Sequence, residues 1–217
     1  MKKLLSILFI VLGFSLMAQD SNVLDPEADK ILSELSAKYK NYKSAEMNVA
    51  LTIDLPDVDD NQVMDVKVWI KGDKFKIELK DQVFISDNKT LWNYMKEYNE
   101  VQINNYEESD AIFSPSVIFN LYKADYIYRM KENYKNSAGA LIKVIELAPI
   151  NKDQNFFKID LAVDSKNSIV EAKIYERSGT RYIYKINGIK PNVELSDSFF
   201  TFDPSKYKDI EVIDARF

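Results

Sequence analysis

The residues best equipped for chemistry in this chain are two groups of carboxylates: Asp57, Asp59 and Asp60 in one stretch, and Glu107, Glu108 and Asp110 in another. Carboxylates held close together can divide general-acid and general-base roles, or share a cation. Neither group has the support such work needs. The 217 residues include no histidine and no cysteine, which removes the commonest general base, the commonest metal ligand and every thiolate nucleophile. The aspartates lack EF-hand spacing. Among only 5 glycines there is no phosphate-cradling loop and no nucleophile elbow. A Ser–Lys pair stays formally open. Blocks of like charge ordinarily remain solvated, so both groups read as loop charge. The expectation is a non-enzyme that needs no metal and no cofactor.

The elements between those loops are mostly strands. Asp25–Tyr42 reads as an amphipathic helix: Asp25 suits the N-cap, Pro26 the first helical position, and Glu27 the positive end of the dipole. Ala28, Ile31, Leu32, Leu35 and Tyr39 recur on one face. From residue 45 the period changes to two. Met47, Val49, Leu51, Ile53 and Leu55 alternate with smaller or polar residues. Pro56–Asn61 is a polar turn. Val66, Val68 and Ile70 then oppose Lys67, Trp69 and Lys71, and beyond Gly72-Asp73, Phe75, Ile77 and Leu79 oppose Lys74, Lys76 and Glu78. Further strands are expected at Gln82–Ser86, Leu91–Met95, Val101–Tyr106, Tyr126–Lys131, Leu141–Leu147, Phe156–Val163, Ile169–Glu176 and Tyr182–Asn187. A short C-terminal pair is expected near Phe199–Phe202 and Ile210–Ile213. Roughly ten or eleven short antiparallel strands at this spacing predict one strongly curved sheet. No repeat or interdomain linker interrupts it, so residues 20–217 form a single domain.

The N-terminus is set apart from the fold. Met1, Lys2 and Lys3 precede the apolar run Leu4–Met17, the pattern of a signal peptide and short of the roughly 20 residues a spanning helix takes. Residues 1–19 are therefore assigned to a leader cleaved near Ala18 or Gln19, which places the product in the periplasm. With no cysteine, neither disulfides nor a lipidated N-terminus is expected, and stability must come from packing that includes 12 Phe and 13 Tyr. Net charge is −5, or −7 once Lys2 and Lys3 are gone (−5 − 2). An acidic chain is a poor fit to nucleic acid.

One segment breaks the strand pattern. Ala111–Tyr122, AIFSPSVIFNLY, carries Ser114 as a possible N-cap, Pro115 at the first helical position, and apolar residues on nearly every face of a short helix. Such a helix must be buried or must cover something apolar. By pattern alone, a plug in a filled sandwich and a lid over a cavity are equally good readings.

Order along the chain separates them. The leader, the helix at Asp25–Tyr42, VWIKGDKFKIEL at Val68–Leu79, SDNKTLWNY at Ser86–Tyr94, the Ser114-Pro115 helix and FFTFDPSKY at Phe199–Tyr207 follow one another in a sequence that resembles the periplasmic outer-membrane lipoprotein carriers, the LolA family. The resemblance runs from about residue 24 to 213. It implies an α+β fold: an incomplete, strongly curved antiparallel β-barrel covered by helices around a hydrophobic cavity. It implies a monomeric carrier that takes triacylated lipoproteins from an inner-membrane ABC transporter to an outer-membrane acceptor or the outer membrane itself. In that likeness Leu51, Ile53, Val66, Val68, Ile70, Phe75 and Ile77 line the acyl-chain cavity, and Ile112, Phe113, Val117, Ile118 and Leu121 belong to the lid. Two positions depart from the family: Gly72 stands where an arginine often latches the lid, leaving Lys71 or Lys74 as substitutes, and Asn88 replaces a turn glycine. The alternative is a periplasmic β-rich sensor or regulator that binds a protein or lipid ligand through the same groove.

Overall fold

The computed structural model describes residues 25–58, 61–106 and 126–216. The chain opens with α1 (Pro26–Lys40) and continues through β1 (Ala45–Asp54), β2 (Gln62–Lys71), β3 (Lys74–Glu78), β4 (Gln82–Ser86), β5 (Thr90–Met95), β6 (Glu100–Asn105), β7 (Tyr126–Met130), β8 (Tyr134–Lys135), β9 (Leu141–Pro149), β10 (Phe156–Val163), β11 (Ile169–Glu176), β12 (Arg181–Pro191) and β13 (Glu211–Asp214). These strands make one 13-stranded sheet in the order β13-β6-β5-β4-β3-β2-β1-β12-β11-β10-β9-β7, with β8 paired to β9 off that path. The sheet is strongly curved and does not close: its two outermost strands, β13 and β7, do not pair with each other. Among the described residues every pairing is antiparallel except β13 with β6.

α1 forms where the sequence predicts it. The Asp25 carboxylate accepts from the Glu27 and Ala28 backbone N–H groups, satisfying donors that the first turn leaves orphaned. Its other oxygen accepts from Met130 N at 3.0 Å, so the same residue that starts the helix pins it to β7. Those bonds, that from Met130 foremost, hold the Asp25 carboxyl below its ordinary range. Tyr128 Oη donates to Asp29 at 2.7 Å, and Ile169 N donates to the Tyr39 hydroxyl. The helix is thus tied to β7 at one end and to β11 at the other. Its buried face is Ala28, Ile31, Leu32, Leu35, Ser36 and Tyr39.

Two cores result. The larger lies on the face that α1 covers and gathers alternate residues of β1, β2, β3, β7 and β9 to β12. The smaller lies on the opposite face of β4 to β6, where Val83, Ile85, Val101 and Ile103 bury against Phe202. A C-terminal strap builds this second core. Lys43 N donates to Asn192 Oδ1 as the strap leaves β12. Lys71 Nζ reaches Leu195 O and Asp197, Phe199 sits edge-on to Trp69 at 5.5 Å, Phe200 is fully buried, and Tyr207 stacks on Phe202 at 4.8 Å. Asp203 accepts from Ser205 N and caps the turn at Pro204–Lys206.

Two sequence expectations are corrected here. Phe199–Phe202 is not a strand; Asp197–Phe200 is a 3-10 turn, because its aromatic rings pack onto the convex face rather than its backbone pairing with a neighbour. Ile210–Ile213 does lead into a strand, β13, but its partner is β6, and with β8 the count rises to 13. One α-helix is present among the described residues. None there is long and apolar enough to cross a membrane.

Candidate functional site

The site is the concave face of the sheet. On β1, Met47, Val49 and Leu51 are buried at the same face as Val66 and Val68 of β2 and Phe75 and Ile77 of β3. Register makes this one wall: Val68 lies between Met47 and Ile77, and Ile70 between Ala45 and Phe75. Ile53 and Ile70 are half-buried against it. The structure therefore brings together all seven strand residues that the resemblance implied for a cavity wall. The wall runs on through Tyr184 of β12, Ile174 of β11, Ile159 and Leu161 of β10 and Leu147 of β9, none of which the sequence singled out. Each fully buried side chain of this size contributes roughly 1.5–3 kcal/mol. Phe75 packs edge-on to Tyr106 at 5.6 Å. Burial pushes the Tyr39 hydroxyl up to about 12 and raises Tyr184 as well.

At one end of the sheet the wall opens into a cleft of about 650 Å3, within the range of ordinary ligand sites. Val63, Met64, Leu79, Met95 and Tyr98 form its apolar sides, and Lys80, Asp81 and Glu97 its polar rim. Met64 and Leu79 also pack against the main core, so wall and cleft are continuous. Val63 and Tyr98 are 65% and 70% exposed. A stretch of exposed valine and tyrosine beside two methionines was the available signal in the sequence, and alternation alone does not reveal it.

The lid residues Ile112, Phe113, Val117, Ile118 and Leu121 lie outside the described residues, as do Asp59, Asp60, Glu107, Glu108 and Asp110. The segment that Lys71 or Lys74 would latch is among those undescribed residues. Lys71 and Lys74 alternate with Ile70 and Phe75 and so point to the convex side, where both engage Asp197 at 3.0 and 3.3 Å. Gly72 is the apex of that hairpin, at φ +59 with open space around its missing Cβ. The Asn88 departure is harmless: it adopts φ +76, which asparagine tolerates, while Asp87 Oδ1 accepts from Lys89 N and Thr90 N. Among the described residues no group of three or more Asp or Glu side chains is arranged to hold a metal.

The family model described as outer membrane lipoprotein carrier protein LolA matches residues 60–203, about two-thirds of the chain. The chain belongs to the LolA family. That match spans β2 to β12 and the strap through Asp203, which includes the cleft and the part of the wall beyond β1; β1 and Tyr207 lie outside it. An uncharacterized protein of Methanocaldococcus jannaschii is 27% identical over 213 residues, covering 94% of this chain and 58% of the relative; the chain thus spans little more than half the length of the curated relative it matches. Among solved structures, an uncharacterized conserved protein from Thermus thermophilus shares the fold at TM-score 0.55 and 13% identity, over 87% of this chain and 99% of that one. A member of a family of unknown function from Desulfovibrio piger does so at TM-score 0.51 and 14% identity, over 85% and 100%. The LolA fold seen here is thus shared well beyond recognisable sequence similarity.

Proposed function

We propose that this LolA-family protein is an exported periplasmic carrier that shields the acyl chains of triacylated lipoproteins, receiving them from an inner-membrane ABC transporter and delivering them to an outer-membrane acceptor or to the membrane. The observation that carries this reading is the continuity of the apolar concave wall with an open cleft, in a chain matched by the carrier family from β2 onward. Burying one methylene yields about 0.8 kcal/mol, so a single long acyl chain supplies roughly 10 kcal/mol without any polar recognition. Holding cargo is then easy, and release is the step that needs a device. The sequence assigns that part to residues 111–122, whose apolar side chains would compete with acyl chains for the wall; Ile118→Asp or Leu121→Asp is expected to lower cargo loading several-fold.

Native mass spectrometry of protein recovered from the periplasm tests the reading. Co-purified triacylated lipoprotein or lipid is the expected result. A stoichiometric protein partner with no lipid would instead favour a sensor, and recovery from the cytoplasm would refute the export step.

A further inference from the structure

The concave face is not apolar throughout. Val101 and Ile103 of β6 turn outward to the second core, together with Trp92 and Tyr94 of β5. Strand alternation then turns Asn93 of β5 and Glu100, Gln102 and Asn104 of β6 to the inside. Register agrees: Asn93 lies between Phe84 and Gln102, and Phe84, like Leu91, packs against the main core. The apolar wall therefore ends in a polar stripe. Within it the Asn93 Oδ1 atom is buried and has no hydrogen-bond partner. Such an atom carries its desolvation penalty with nothing in return. Gln102 Nε2 gives one hydrogen to Glu100 Oε1 and retains another. Met95, paired with Glu100 one step along, lines the cleft, so the stripe borders the place where wall meets solvent.

We propose that this stripe recognises the amide group at the root of an amide-linked acyl chain, with Asn93 Oδ1 accepting its N–H while the hydrocarbon lies along the apolar wall. A secondary amide is the matching class because Asn93 and Gln102 together offer an acceptor and donors to a group that has one of each. The inference rests on the carrier reading and sharpens it: the wall supplies affinity and the stripe supplies discrimination between acyl attachments.

The test uses purified protein carrying a displaceable fluorescent hydrophobic dye. Two competitors are compared, N-dodecanoylglycine methyl ester and its analogue with oxygen in place of the amide N–H. Wild type is expected to bind the amide about five- to tenfold more tightly. Asn93→Leu should bring that ratio to about one while keeping affinity for the oxygen analogue, and should raise the melting temperature of the empty protein by about 2–4 °C. Asn93→Ser provides a second variant of smaller volume, and the wild-type ratio is decisive even if both variants fail to fold. Equal binding of the two competitors to wild type, or a ratio that survives Asn93→Leu, overturns the proposal and leaves the carrier reading standing. If neither competitor displaces the dye, the carrier reading falls and the inference with it.

Discussion

Replacing Phe200 by alanine separates the forces that hold the C-terminal strap on the convex face. Phe200 is fully buried and its ring centroid lies 5.3 Å from that of Phe199, which in turn packs on Trp69. A phenylalanine buries about 150–250 Å2, worth roughly 4–6 kcal/mol at ~25 cal/mol per Å2. Alanine keeps part of that area, and the unfolded chain already hides some. The expected loss is about 3–5 kcal/mol, the usual range for such a truncation. The ion pairs of Lys71 and Lys74 with Asp197 occupy the same turn, but the Asp197 side chain is 71% exposed. Asp197→Asn should therefore cost far less than the Phe200 truncation. Urea unfolding followed by circular dichroism and by tryptophan fluorescence measures both, since Trp69 and Trp92 report on the convex side. A loss below about 1 kcal/mol for Phe200→Ala, or an equal loss for Asp197→Asn, would refute the claim that aromatic packing rather than charge anchors the strap.

Other expectations concern the concave side and the hairpin. Asp25→Ala removes the helix cap and the Met130 bond, and should cost about 1–2 kcal/mol; Asp25→Asn, which keeps an acceptor oxygen, should cost less. The Asp25 carboxyl is held low in the fold, so its contribution is complete above the ordinary carboxylate range and is lost as pH falls through its folded value. The urea midpoint of Asp25→Ala should accordingly depend less on pH in that acidic window, and an unchanged slope would sink the linkage. Tyr39→Phe leaves the buried Ile169 N–H without its acceptor and should cost about 1–3 kcal/mol. Because burial raises the Tyr39 hydroxyl to about 12, its stabilisation holds below about 10 and is lost as pH climbs toward 12; an ultraviolet titration should show one late phenol fewer in the variant. Gly72→Arg, which restores the residue common in the family, puts a side chain at φ +59 and should lower stability by about 1–2 kcal/mol, read as a drop in melting temperature.

Much of this molecule was legible because its signals are local. Asp25-Pro26 starts α1 and the alternation in β1 to β3 delivers the wall, since a cap and a period of two are properties of neighbouring residues. What could not be read depends on which face of a strand meets which core. Val101 and Ile103 alternate as cleanly as Val66 and Val68, yet they face outward, because the strap brings Phe202 to that side. Alternation shows that a strand has two faces and does not say which one is concave. The polar stripe on β5 and β6 was hidden for the same reason. Phe199–Phe202 misleads because aromatic alternation resembles a strand when the rings are packing units on a 3-10 turn. The parallel β13 pairing links Glu211 to Glu100, and nothing in either stretch announces the other. Likewise, Lys71 and Lys74 read as substitutes for a lid latch, and only register shows that they lie over Asp197.

The pairing of β13 with β6 also bears on the order in which the molecule assembles. The edge of β6 stays open until residues more than a hundred positions downstream arrive to seal it. Long-range closure of this kind slows folding, and in the interval β6 presents unpaired backbone groups that invite strand addition by a second chain. A nascent polypeptide would pass through that interval on every folding attempt. Chaperone dependence and aggregation yield should thus be governed by residues 192–214, far from the concave wall and without any change to what the wall can hold.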